Sequence, residues 1–319
     1  MVFYYKSGRY PLDTQINKYL NQKRLKQSEC NLKRSVKNKI FRLLSENFES
    51  VFSLHIVGSA ANYLDVKGGD LDICLLFNEI SPNDLYKVKQ LLKCSDFAIN
   101  VICIPPLNLV RFRDSETGFQ TDLIINNSKP IKDAYLIRCY IKEFCILSDL
   151  IVLIKLWAQY QEINEASKQG LNSSSLALMA ISCLQEDGLL PCLHEEKPYL
   201  FGNLKYLNLQ RIKISNGTCP DYDGPSIDVL FLRFLKYYAK SFEFDNQGIS
   251  VRLGRAISKP RSSGQNHRIF IEDPSDRTNT AKAIRSDSSF YKIEKVFTES
   301  FNQLEIGRDL SELVGQYMT

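Results

Sequence analysis

Apolar residues recur at three- and four-residue intervals from residue 14 to 48, ending in VKNKIFRLLSENF, and predict a helical opening to the chain. The period then drops to two. SVFSLHIVGS and GDLDICLLF read as strands, and SPNDLYKVKQLLKC reads as a helix with Ser81 as its cap and Pro82 at its first position. FAINVICIP, LNLVRFRD and FQTDLIIN are three further strand candidates. From residue 131 the helical period returns in DAYLIRCYIKEF, LSDLIVLIKLWAQYQEI and SSSLALMAISCLQED. A Pro/Gly-rich loop at 215–225 precedes the helical GPSIDVLFLRFLKYYAKSF, followed by a short β-like ISVRL, a polar insertion (SKPRSSGQNHR) and IFIEDPSDRTNTAKAI. The pattern predicts a small α/β unit over residues 49–130 joined to a mostly helical unit.

Composition adds limits. The 319 residues are 44% hydrophobic and 24% charged, which is ordinary for a globular chain of one large or two medium domains. No apolar run approaches the roughly 18 residues of a membrane span, and the N-terminal residues have the make-up of neither a signal nor a transit peptide. The nine cysteines include no CxxC, several lie in apolar runs (Cys74, Cys103, Cys183), and free thiols in a reducing compartment are expected. His55, His194 and His267 are far apart, and no zinc site is expected. The net charge of +5 is uneven, because the first fifty residues alone carry +7. The dense part, KRLKQSECNLKRSVKNK with Lys33, Arg34 and Lys37, is either a solvated helix face or a contact for a polyanion such as RNA.

The sharpest chemistry is a Gly-Ser turn, Gly58-Ser59, a dozen residues before an Asp-x-Asp, Asp70 and Asp72, on an otherwise apolar run. On a strand, i and i+2 share a face about 7 Å apart. Asp122 in FQTDLIIN offers a third carboxylate. Buried unpaired carboxylates are unfavourable, so the group needs a counter-charge, and hard oxygen donors from neighbouring strands suit Mg²⁺ or Mn²⁺. Two such ions about 4 Å apart serve phosphoryl-type transfer. Gly58 allows close approach of a phosphate to the backbone, and Ser59 adds a hydroxyl. A metal site that takes a triphosphate is the reading.

These residues resemble the DNA polymerase β-like nucleotidyltransferase superfamily, whose pattern is an apolar-Gly-Ser turn, an Asp-x-Asp and a later strand Asp. Within it the chain is similar to the template-independent RNA nucleotidyltransferases, namely cytoplasmic poly(A) polymerases and terminal uridylyltransferases. The resemblance is carried by VGSAANYLDVKGGDLDICL, TDLIINN, LIVLIKLWAQYQEINEASKQGLNSSSLALM and IEDPSDRTNTAKAI. EINEAS and DRTNTA look most like the germline-type enzymes. The resemblance implies an α+β fold: a mixed-sheet palm over residues 31–146, after a basic extension over 1–30. A helical central (PAP-associated) domain would occupy 147–319, with a nucleotide-recognition loop near 269–284 and the nucleotide in the cleft between the domains. It implies that Asp70, Asp72 and Asp122 hold the metals, that Gly58 and Ser59 meet the triphosphate, and that Asn127 meets the ribose 2′-OH. Lys155 would reach the γ-phosphate, Ser174 the triphosphate, and Asp273 would lie in the recognition loop.

The departures matter too. Asn279 stands where the uridylyltransferases carry a base-reading His, which favours ATP. Gln159 replaces a second Lys. Ser173-Ser174-Ser175 replaces Ser-Ser-Tyr, so that Ser175 lacks the ring on which the base stacks, an interaction worth ~1–3 kcal/mol. The function implied is addition of AMP from ATP to an RNA 3′ end, Asp122 and the metal activating the 3′-OH. The alternatives are a terminal uridylyltransferase or a catalytically weak RNA- or protein-binding scaffold. No RNA-recognition module is visible, so the resemblance implies recruitment by an RNA-binding partner protein. The expected location is the cytoplasm, with the nucleus as the alternative, and no membrane is expected.

Overall fold

In the computed structural model the described residues are 12–201, 209, 222–260, 267–307 and 309–315. Much of the predicted loop at 215–225, part of the polar insertion and the start of the basic extension lie outside them.

The helical stretch expected over 14–48 is two helices, α1 (Leu12–Lys23) and α2 (Gln27–Asn47). The break falls where Lys26 takes up an extended backbone as the N-cap of α2 and donates its N–H to Glu29 at 2.9 Å. That return contact satisfies a donor the helix start would leave open. Five strands follow, each inside a predicted run: β1 (Phe52–Ile56), β2 (Leu71–Phe77), β3 (Ala98–Ile104), β4 (Leu109–Asp114) and β5 (Gln120–Ile125). The short α3 (Gly58–Ala61) opens the β1–β2 connection, and α4 (Asp84–Cys94) links β2 to β3. Asn83, rather than Ser81, is the N-cap of α4. Ser81 donates its N–H to Asp84 at 2.9 Å and closes the turn ahead of the helix.

The sheet order is β1-β2-β5-β4-β3. Only the β2–β5 pair is parallel. Side chains alternate across it as a half-buried sheet requires. Leu71, Ile73 and Leu75 of β2, Val110 and Phe112 of β4, and Leu123 and Ile125 of β5 join Val36, Ile40 and Leu44 of α2 and Leu85, Val88 and Leu92 of α4 in one core. The residues between them, including Asp72, Cys74, Arg111, Asp122 and Ile124, therefore point to the opposite face. There Cys74 packs with Val57, Ala61 and with Ile131 and Ala134 of α5 (Lys129–Glu143). The carboxylates thus stand on the face that α2 and α4 leave uncovered.

By its internal contacts the chain forms two units. Residues 23–138, with Leu209, make the sheet unit; residues 12–22, 139–201 and the described residues from 222 onward make the other. This second unit is helical: α6 (Leu147–Tyr160), α7 (Ser173–Glu186), α8 (Leu193–Glu196), α9 (Ile227–Lys236), α10 (Asp287–Glu305) and α11 (Ser311–Val314), with a hairpin of β6 (Gln247–Ser250) and β7 (Arg255–Ser258). Helix α10 extends it beyond the predicted elements. Trp157 of α6 lies at its centre, its ring against Phe231, Phe234 and Phe297 and its N–H donated to Ser300 at 3.0 Å. Among the described residues seven cysteines are free thiols, as expected, and Cys145 is a correction, since it is disulfide-bonded.

Candidate active site

Strands β2 and β5 run side by side with Asp72 opposite Asp122 in register. Asp70 stands one residue ahead of β2, exposed, with its carboxylate accepting from Gln120 Nε2 at 3.1 Å. Asp122 is nearly buried and accepts two hydrogen bonds from its cross-strand neighbour Arg111, Nε to Oδ1 and Nη2 to Oδ2, both at 2.7 Å. Hydrogen bonding to Asp122 raises the Arg111 pKa, and the charges of Asp122, Asp70 and Asp72 add to the effect. All three carboxylates therefore bear on one guanidinium. A closed cage of three carboxylates is not what this conformer holds. Among the described residues no three His, Cys, Asp or Glu side chains gather at metal-ligand spacing, because Asp70 turns to Gln120 and Asp122 to Arg111.

The donor set nonetheless fits a hard divalent cation. It is made of carboxylate oxygens on adjacent strands. The Gly-Ser turn shapes the space beside it. Gly58 has φ +62°, and a Cβ there would collide with Asp72 Oδ2. Glycine suits the left-handed backbone and leaves that carboxylate where it stands. Ser59 follows, half-buried, its hydroxyl donated to Asp65 at 2.6 Å. Cys74, two residues beyond Asp72, has its thiol pushed up to about 12 by burial, with Asp72 and Asp133 adding to it. It is inert under ordinary conditions. Asn127 is exposed after β5, and its side chain accepts from Lys129 N–H at 3.0 Å, the role of a turn residue ahead of α5.

The basic run divides. Arg34 is exposed and Lys37 half-buried, whereas Lys39 is paired with Asp114 and Glu116. Lys33, expected as a surface contact to RNA, is a correction: it is buried, and its ammonium is bound to Asp65 and to two backbone carbonyls. Its charge is used inside the sheet unit and is not presented to a polyanion.

In the helical unit Lys155 is half-buried on α6 and Ser174 half-buried in the first turn of α7. Asn172 caps α7, accepting from Ser175 N–H at 2.7 Å and donating to the Thr280 carbonyl at 2.8 Å. Ser175 is wholly buried, with its hydroxyl 2.9 Å from that of Thr280. Ser175 therefore corrects the expectation of a base-stacking position, since it faces the interior. Asn279 is likewise a correction. It is buried, its amide donates to the Ile269 carbonyl at 2.8 Å, and its oxygen accepts from the N–H groups of Ile271 and Ala281 at 3.0 and 2.9 Å. Its side chain fastens the loop through these three bonds to backbone. Asp273, buried, closes the turn by accepting from Ser275 N–H and hydroxyl at 2.8 and 2.7 Å. Glu272, buried beside it, holds Arg252 at 2.7 Å.

Arg111, Asp65, Asn172 and Thr280 were not singled out by the sequence. Arg111 had one available signal: in LNLVRFRD it alternates with the apolar residues of a strand. Asp65 had none, because its partner Lys33 lies on a helix 32 residues earlier.

Residues 12–142 match the family model of the central palm domain of mitochondrial-like poly(A) RNA polymerase, and residues 226–279 match that of the Cid1 family poly A polymerase. The poly(A) RNA polymerase GLD2 of Danio rerio is 32% identical over 268 residues, 80% of this chain and 54% of that protein. The human GLD2 is 31% identical over 283 residues, 82% of this chain and 58% of that protein. The chain thus spans a little over half the length of these relatives. Among solved structures, that of a GLD-2/RNP-8 complex superposes with a TM-score of 0.77 at 25% identity, covering 96% of this chain and 98% of the other. Cid1, a terminal uridylyl transferase, has the same fold, with a TM-score of 0.76 at 20% identity over 97% of this chain and 98% of its own. With an Asp pair and a third Asp on adjacent strands behind a Gly-Ser turn, the chain belongs to the poly(A)/U polymerase family of RNA nucleotidyltransferases that includes GLD2 and Cid1.

Proposed function

We propose that this chain adds AMP from ATP to the 3′ end of RNA without a template. The observation that carries the reading is the in-register pair Asp72 and Asp122, with Asp70 ahead of it, in a chain about 30% identical to GLD2 poly(A) RNA polymerases over most of its length. In the reaction the RNA 3′-oxygen bonds to the α-phosphorus, the bond to the pyrophosphate oxygen breaks, and the hydroxyl proton passes to an Asp122 oxygen. Asp70, Asp72 and Asp122 would hold Mg²⁺ or Mn²⁺, which when bound neutralises phosphate charge and lowers the pKa of the attacking hydroxyl. For Asp122 to serve, Arg111 must share or release it. Gly58 leaves the backbone open to phosphate oxygens; Ser59, whose hydroxyl proton is held by Asp65, is proposed to meet the triphosphate through its backbone N–H, Ser174 and Lys155 to donate to it, and Asn127 to donate to the ribose.

The choice of ATP rests on the GLD2 relatives and no longer on Asn279, whose amide is committed to backbone. RNA contact is assigned to Arg34 and Lys37. The GLD-2 neighbours are described in complexes with RNP-8 and GLD-3, which supports a partner protein for this chain, proposed to be one that binds RNA. No described helix is long and apolar enough to cross a membrane. The cytoplasm is the proposed location.

Primer extension with each of the four NTPs tests the reading. ATP should give the highest kcat/KM. Asp70→Ala, Asp72→Ala and Asp122→Ala should each stop extension in a folded protein. A wild type that favours UTP, or a folded Asp72→Ala that extends at the wild-type rate, would overturn it.

A further inference from the structure

Lys33 and Asp65 form an ion pair at 3.0 Å with side-chain exposures of 2% and 5%, on the margin of the proposed site and outside the machinery described above. An ammonium has three N–H donors, and here each has an acceptor: Asp65 Oδ2 at 3.0 Å, the Gly69 carbonyl at 3.0 Å and the Asp70 carbonyl at 2.8 Å. The other oxygen of Asp65, Oδ1, accepts the Ser59 hydroxyl at 2.6 Å. One buried pair thus holds both ends of the segment 59–70. It grips the Gly-Ser turn through Ser59 and the first carboxylate residue through its own carbonyl.

The surroundings leave this hub little play. Gly69 donates its N–H to Val66 at 3.0 Å, and a Cβ at Gly69 would crowd the Val66 carbonyl and Asp65 Oδ1. The Phe119 ring lies 5.2 Å from the ammonium. Arg24 donates to the Tyr63 carbonyl at 2.6 Å, and Lys67 N–H to that of Lys23 at 2.9 Å, so the segment is also tied to the chain between α1 and α2. Burying two charges is unfavourable unless each is fully bonded, and a pair of apolar residues of similar size is often as stable. Stability alone is therefore a poor reason for a buried Lys-Asp pair whose remaining bonds all go to one segment.

We infer that Lys33 and Asp65 are positioning residues for nucleotidyl transfer, setting the Gly58-Ser59 turn and the Asp70 backbone where triphosphate and cation are received. The inference rests on the reading above and assigns these two residues no contact with substrate. Lys33 acts through Asp65 and the carbonyls, and Asp65 acts through Ser59.

The test compares wild type, Lys33→Met and Lys33→Met/Asp65→Leu by thermal unfolding and by AMP addition to an RNA primer, well below every unfolding midpoint. Lys33→Met leaves a buried carboxylate without its counter-charge and should lower both stability and kcat. The double variant removes both charges and should recover the unfolding temperature, while kcat stays down by about tenfold to a hundredfold, the scale of a small misplacement of reacting groups. Hydrogen exchange should speed up at residues 66–70 in the double variant and stay unchanged in β4 and β5. If kcat returns together with stability, the pair is structural and the inference is overturned. Should the double variant not fold, Asp65→Asn, which keeps the shape, takes its place: reduced kcat in a protein of near-wild-type stability supports positioning, and full kcat overturns it. A wild type that adds no AMP sinks the proposed function instead, and so tells the two failures apart.

Discussion

Arg111 and Asp122 are cross-strand partners on β4 and β5, and their side chains meet at two points, each 2.7 Å long. The guanidinium stands in the place of a cation beside the carboxylates that the proposed chemistry needs. Arg111→Met removes it and leaves Asp122, 9% exposed, without that partner. The expected loss is about 2 kcal/mol of stability, between the values of an exposed and a buried pair. A divalent cation should then restore what the arginine supplied. Adding MnCl₂ should raise the unfolding temperature of Arg111→Met more than that of wild type, and an equal rise would mean that Arg111 does not compete for Asp122.

A side chain at Gly58 is opposed by both the backbone and Asp72. Gly58→Ala brings together a left-handed backbone at φ +62° and a collision with Asp72 Oδ2. About 1 kcal/mol or more of stability should be lost to the backbone alone. Extension of the primer should fall by more than that destabilisation accounts for, because the displaced atom belongs to Asp72. A steady-state assay beside a denaturant titration separates the two effects.

Ser175→Tyr should not improve ATP binding. The serine is wholly buried and bonded to Thr280, so a ring there overpacks the start of α7, a change that typically destabilises by about 1–3 kcal/mol. The expected outcome is a lower unfolding temperature and no fall in KM. A tighter KM in an equally stable protein would mean that the ring reaches the nucleotide after all.

Asn279→His tests the recognition loop. Asn279 satisfies two backbone N–H groups and one carbonyl, and an imidazole cannot serve all three. Both nucleotides should lose kcat/KM together, with a drop in thermal stability. A selective gain for UTP would return the position to a role in base choice.

His194 gives a pH-dependent signal. It stacks on Phe201 with ring centres 4.0 Å apart. Burial, with Arg252 adding, lowers its pKa from 6.5 to about 4, and Glu272 opposes the shift. The unfolded chain takes up this proton near 6.5 and the folded one only near 4. Its contribution to stability is therefore complete above about pH 6.5 and is lost as the pH falls through about 4. In His194→Phe, stability measured by urea titration should fall less steeply over that interval. An unchanged slope would assign the acid sensitivity to other groups.

The strand runs and the Asp motif were readable because both rest on local pattern. The two-residue period in GDLDICLLF and FQTDLIIN predicted β2 and β5, and in the structure Leu71, Ile73 and Leu75 face the core while Cys74 packs on the other face. What escaped was set by partners distant in sequence. Lys33 reads as one more cation of a basic helix until Asp65 is placed beside it. Ser175 and Asn279 were matched by position in a motif, yet their bonds to Thr280 and to backbone turn both inward. The break between α1 and α2 was hidden because apolar spacing continues across it while the backbone does not.

Strand β5 takes its place between β2 and β4 although the chain makes β3 and β4 before it. On the ribosome, the edge of β2 stays open for the time needed to make the 42 residues (78–119) that separate it from β5, about 2–8 s at ordinary synthesis rates. An open apolar strand edge is a template for pairing with other chains. The nascent polypeptide is therefore most prone to aggregate in that interval, and a holdase chaperone has its use there. The same insertion that closes the edge sets Asp122 opposite Asp72. Escape from misassembly and acquisition of the paired carboxylates are one event.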